Sequence, residues 1–143
     1  MKLTRTLFAF LIAITASACG ATPGGANVDQ ITGVAWEATQ ISGNPVTTRA
    51  PVTLSFADGR ASGHSGCNRY SGTATIEAGR IRIAEIVSTK MACMEDGAMQ
   101  TEMTYLQALS GAETWTVSAD GKLTLTGSKG TVVFRALQDK SGL

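Results

Sequence analysis

Along most of this chain apolar residues recur at every second position in short runs, each closed by a turn signal. A period of two sends alternate side chains to opposite faces, so the pattern predicts antiparallel strands with one buried face. Val34 to Ile41 is the first such run, with Trp36 as its expected buried anchor. Val52, Leu54 and Phe56 alternate with Thr53 and Ser55, Asp58-Gly59 offers a two-residue hairpin turn, and Arg60 to His64 returns antiparallel. Tyr70 to Glu77 sets Tyr70, Gly72, Ala74 and Ile76 on one face. Ala78-Gly79 then turns the chain into Ile81 and Ile83, opposite Arg80 and Arg82. Trp115 and Val117 lead to Asp120-Gly121, after which Leu123 and Leu125 alternate with threonines. Thr131 to Leu137 closes the series, with Val132, Phe134 and Ala136 on one face.

One segment breaks this period. From Asp96 to Ser110, Met99, Met103, Leu106 and Leu109 fall at spacings of four, three and three, which predicts one buried face of a helix. Gly111 follows as its C-terminal stop. The predicted fold is therefore mainly β with one inserted helix before the last three strands. Some eight or nine short strands favour a small antiparallel sandwich or barrel over an α/β fold.

The first residues follow different rules. Lys2 and Arg5, the apolar run Leu7 to Ile14, and the small residues Thr15 to Ala18 before Cys19 form a signal peptide over residues 1–18. The run is too short to span a bilayer, which takes about 20 apolar residues. Ser17-Ala18-Cys19 also resembles the bacterial lipobox, in which the cysteine thiol is acylated and becomes the new N-terminus. Ala16 departs from it, since leucine is usual there, and ordinary cleavage leaving a thiol at Cys19 is the blander alternative. On the lipobox reading the protein is held to a membrane by acyl chains, each buried CH₂ contributing about 0.8 kcal/mol. Gly20 in place of an aspartate resembles lipoproteins sent to the outer membrane, facing the periplasm. Residues 19–32 read as a flexible, lipid-attached tether, residues 33–138 as the β domain and residues 139–143 as a tail. The signal holds two of the chain's 12 basic residues, which leaves 10 against 11 acidic in the mature protein. With no basic face, nucleic acid is not an expected partner, and a monomer is expected.

Two cysteine motifs carry the remaining information. Gly66-Cys67-Asn68-Arg69-Tyr70-Ser71-Gly72 is followed by Ser88-Thr89-Lys90-Met91-Ala92-Cys93, with Trp36 upstream and Glu102, Tyr105, Leu106 and Leu109 in the predicted helix. Together these residues resemble the META domain family, whose members include HslJ-like heat-inducible bacterial lipoproteins. The resemblance runs from about Val34 to Leu137, with Ala38 and Lys90 standing where leucine and arginine are common. It implies a compact, mostly β domain of the cracked-barrel kind. It also implies an association with heat shock, drug resistance or secretion, and no established reaction.

The candidate chemistry is modest. Cys67 and Cys93 are either a structural disulfide, two separately buried thiols or a redox pair; an exported protein favours the disulfide, and the lack of Cys-x-x-Cys spacing weighs against redox work. His64, three residues before Cys67, invites a nucleophile and base, but residues three apart on a strand face opposite ways and a bonded Cys67 is no nucleophile. His64, Cys67 and Cys93 lack the paired close spacings of a zinc site, so neither metal nor cofactor is expected. Asn68, Arg69, Tyr70 and Lys90 are a candidate binding surface, against the plainer reading of Asn68 as a turn residue and Tyr70 as core. Met91, Met94, Met99 and Met103 could line an adaptable apolar groove, although helical spacing assigns Met99 and Met103 to the core.

The sequence thus points to a non-catalytic envelope lipoprotein that binds an unknown protein or supports envelope stress tolerance. Two alternatives are a lipocalin-like carrier of a small apolar ligand and an inhibitor of an envelope-directed hydrolase. A carrier requires a cavity that Trp36, Phe56, Trp115 and Phe134 leave unfilled. An inhibitor requires a rigid protruding loop, for which Asn44 to Pro51 is the best segment.

Overall fold

Nine antiparallel strands follow the alternation, as the computed structural model of residues 26–137 shows. They are β1 (Ala35–Ile41), β2 (Asn44–Pro45), β3 (Thr53–Ala57), β4 (Arg60–His64), β5 (Arg69–Glu77), β6 (Arg80–Ser88), β7 (Ala112–Val117), β8 (Leu123–Gly127) and β9 (Gly130–Ala136). One helix, α1 (Ala98–Ser110), lies between β6 and β7. The signal peptide, Cys19, residues 19–25 of the tether and the tail lie outside the described residues.

Each strand pairs with its neighbour in sequence from β3 to β9, and β1 pairs with both β3 and β9. Eight strands thereby close into a barrel, with β2 hairpinned onto β1 outside the ring. Closure removes the open edges that an antiparallel sheet would otherwise present. One joint is weak: β6 and β7 share a single ladder pair, Arg80↔Thr114. Beyond it a cleft of about 880 Å³ opens between Arg80–Ala84 and Ser110–Glu113. This is the crack in the barrel, and it lies where the pairing of β7 with β8 shifts register between Ala112 and Thr114.

Such irregularities also reconcile the sequence pattern with one core. In β1 the register shifts between Ala38 and Gln40, so Trp36, Ala38 and Ile41 all turn inward. In β7 the shift lets Ala112 and Trp115, three residues apart, both point in. The Asp58-Gly59 turn forms as expected, with φ of 50° and 69°.

The helix face differs from expectation. Ala98, Glu102, Tyr105, Ala108 and Leu109 are buried, while Met99 and Met103 are half exposed. Leu109 is buried as expected and Leu106 partly so, but at the N-terminal half Ala98 and Glu102 take the inward positions expected of Met99 and Met103, and apolar periodicity does not recognise a carboxylate there. Tyr105 enters the barrel, edge-on to Tyr70 and Phe134 with ring centroids 5.6 and 6.4 Å away.

The domain also starts earlier than residue 33. Asn27 caps a 3-10 turn over Val28–Gln30, Ile31 is fully buried, and Trp36 Nε1 donates to the Ile31 carbonyl at 3.1 Å. Residues 27–32 are thus packed domain rather than tether. Burial of the Ile31 side chain and the bond from the Trp36 indole to the Ile31 carbonyl tie this segment to the barrel, a tertiary pairing that local spacing does not reveal.

Candidate functional site

The two cysteine motifs meet at the end of β4 and the start of β5. Gly66 has φ of 90°, a left-handed value that turns the chain after His64, and a Cβ there would crowd Thr48 and Val52 at 3.3 Å. At the other end of the motif, a Cβ on Gly72 would lie 2.7 Å from the Ala84 carbonyl oxygen, so only glycine lets β5 approach β6 this closely. Between them Cys67 is bonded to Cys93, with Cα atoms 5.8 Å apart. This settles the three alternatives in favour of the disulfide, and it leaves Cys67 without a free thiol to act with His64. His64 itself is half-buried, its Nδ1 accepting the Gly66 N–H at 3.2 Å.

Asn68 is the hub. Its side-chain oxygen accepts from Thr89 Oγ1 and from the Met91 N–H, both at 2.8 Å. Its amide donates to the Met91 carbonyl at 3.3 Å and to Glu102 Oε1 at 3.0 Å. Glu102 Oε2 accepts the Asn68 backbone N–H at 2.8 Å and the Ser65 hydroxyl. Asn68 is 1% exposed and Glu102 9%. The first motif, the second motif and α1 are thus locked by one polar clasp reinforced by a disulfide. Burial pushes the Glu102 carboxyl up, but donors from Ser65 and Asn68 and the charge of Lys90 outweigh it and hold the group below the ordinary glutamate range.

The candidate binding surface divides accordingly. Arg69 and Lys90 are exposed. Asn68 and Tyr70 are buried and correct that expectation: each polar atom they carry has a partner inside the fold. The Tyr70 hydroxyl lies 2.7 Å from that of Tyr105 and 2.9 Å from the Thr53 carbonyl. Burial pushes both phenols well above their ordinary range. Ser65, Thr89 and Glu102 were not singled out as clasp residues by the sequence. They are ordinary polar residues far apart in the chain, and no spacing rule links them.

Outside the clasp, Pro51, Thr53, Ser62, His64, Arg69 and their neighbours line a shallow groove of about 520 Å³. The loop from Asn44 to Pro51 rises beside it, fastened where the Arg49 N–H donates to Glu95 Oε1 at 2.7 Å. Arg69 and Lys90 have no carboxylate within ion-pair distance among the described residues. No group of three or more His, Cys, Asp or Glu that could hold a metal ion is present among the described residues. The barrel interior is filled: Trp36, Phe56, Trp115 and Phe134 are 2%, 1%, 1% and 0% exposed.

Two solved structures share the architecture. A solution structure of a protein from Burkholderia xenovorans is 25% identical, with a TM-score of 0.63, covering 90% of this chain and all of its own. A second solution structure is 26% identical, with a TM-score of 0.62, covering 75% of this chain and 92% of its own. No curated protein matches the chain significantly. The sequence pattern of the META domain matches residues 29–140.

Proposed function

The chain belongs to the META domain family, and from that premise we propose that it is a non-catalytic lipoprotein of the cell envelope. On this reading it is acylated at Cys19, faces the periplasm from the outer membrane, and supports envelope stress tolerance by binding a partner on its outer surface. The observation that carries the reading is the filled interior. With Trp36, Phe56, Trp115 and Phe134 packed inside the ring, space for a small apolar ligand is taken by side chains, and binding moves to the exterior. The clasp consumes the side chains of Asn68 and Glu102 and leaves Arg69, which lines the groove, and Lys90 as exposed cations. An acidic face on a partner protein complements them. Inhibition of an envelope hydrolase is a second reading, favoured by the fastened loop Asn44 to Pro51.

The anchor is tested by expressing the full chain in a bacterium with an outer membrane and labelled palmitate. Label in the outer-membrane fraction, lost in Cys19→Ala, supports it, and an unlabelled wild type defeats it. Surface binding is tested with Arg69→Glu, at an exposed side chain outside the clasp, which is expected to keep the fold and lose protection under envelope stress. Unchanged protection would remove the cationic rim from the function.

A further inference from the structure

The chain has five methionines, and apart from Met1 all of them fall between residues 91 and 103. Methionine is normally among the residues most often buried. Here Met91, Met94, Met99 and Met103 are 58%, 95%, 50% and 49% exposed. The other exposed large apolar residues among those described are Val87 and Leu137, so this surface is defined by sulfur. No aromatic side chain joins it, although aromatics are what protein interfaces favour at their centres.

The four residues gather around one disulfide. Met99 Sδ lies 3.6 Å from Cys67 Sγ, and the Met91 carbonyl oxygen lies 3.6 Å from the same atom. Met94 follows Cys93, the other half of the bond, and Met103 sits one turn beyond Met99 on α1, where side chains four apart are neighbours. The carriers are held in place. Asn68 grips both the N–H and the carbonyl of Met91, and through Glu102 it grips the helix that bears Met99 and Met103. The clasp therefore positions two sulfur-bearing segments against each other, while the unbranched side chains themselves can swing.

We propose that this thioether quartet is a binding site for a soft monovalent cation, Cu(I) above all. Thioethers are neutral, soft ligands that select Cu(I) and pass over Mg²⁺ and Ca²⁺. Closure of the Cys67–Cys93 disulfide withdraws the thiolates that would otherwise attract Zn²⁺. Since a thioether takes up no proton in the working range, affinity is independent of pH. A site built on imidazole nitrogen would instead lose affinity in acid, because protons compete for that ligand.

The test uses the full chain, labelled with ¹³C at the methionine methyls and titrated with Ag(I) as a redox-inert stand-in. The methyl signals of the four residues are expected to shift together and saturate at one equivalent, equally at pH 7 and pH 5, with no shift on adding Zn(II). In competition with a chromogenic Cu(I) chelator, Met99→Leu/Met103→Leu is expected to bind at least about tenfold more weakly with an unchanged melting temperature. Absence of the methyl shifts in the wild type would overturn the proposal. So would undiminished binding when all four methionines are leucine, or loss of binding in His64→Ala. Should the leucine variants fail to fold, the wild-type methyl signals and their pH profile decide it.

Discussion

Glu102 is a carboxylate held in a nearly closed position by three donors, two from Asn68 and one from Ser65. Hydrogen bonds to a charged group contribute about 1.5–3 kcal/mol, and removing one partner leaves the rest unsatisfied. Glu102→Gln and Asn68→Ala are each expected to cost about 2–4 kcal/mol in urea unfolding. The pH dependence has a definite sign. The folded carboxyl titrates below its unfolded counterpart, so its contribution is complete above the unfolded value of about 4.3 and is lost as pH falls through the lower folded value. Acid unfolding of the wild type should steepen there, and Glu102→Gln should flatten it. Tyr70 and Tyr105 have the opposite bias. Burial keeps both neutral, so folding stability declines as pH rises above the ordinary phenol value of about 10. These are the chain's two tyrosines, so phenolate absorbance should emerge only together with loss of near-ultraviolet circular dichroism.

At the scale of elements, the segment between β6 and α1 has no ladder of its own. It is held by the disulfide, by Asn68 and by the Arg49–Glu95 contact. Closing a loop of 26 residues stabilises by about 3.5 kcal/mol on the chain-entropy estimate. Cys67→Ser/Cys93→Ser should lose close to that amount in urea unfolding. Amide exchange should rise over residues 89–97 while the strands stay protected; uniform loss of protection would mean that the bond supports the whole barrel rather than this segment. The helix carries a related lesson. Its inner face is Ala98, Glu102, Tyr105, Ala108 and Leu109, and this leaves the methionines outside. The expected stripe held at Leu109, and in part at Leu106, but not at the two methionines.

For the molecule as a whole, closure and filling are coupled. Pairing of β1 with β9 completes the ring, and large side chains project into it and are buried there. Trp115, 1% exposed with its indole N–H donating to the Glu77 carbonyl at 2.8 Å, is one of the two tryptophans among them. Trp115→Ala should cost about 3–5 kcal/mol and open a cavity. The wild type should show no saturable binding of a fluorescent fatty acid, whereas Trp115→Ala, if folded, should gain some. Saturable binding by the wild type would revive the carrier.

What the sequence determined by itself was local. A period of two with glycine turns set the strands, the Asp58-Gly59 hairpin and the inward faces of Trp36, Leu54, Phe56 and Phe134. The paired motifs were legible too, since they resemble those of the family the chain belongs to. Tertiary structure decided the rest. Barrel closure by β1 and β9, the bulges that restore an inward face after a slipped register, and the packing of Ile31 all depend on residues distant in the chain. So does the burial of Glu102, 34 positions from Asn68. Alternation reports which side of a strand avoids water, because that preference belongs to each side chain. Which polar groups satisfy one another belongs to pairs, and only the folded chain brings those pairs together.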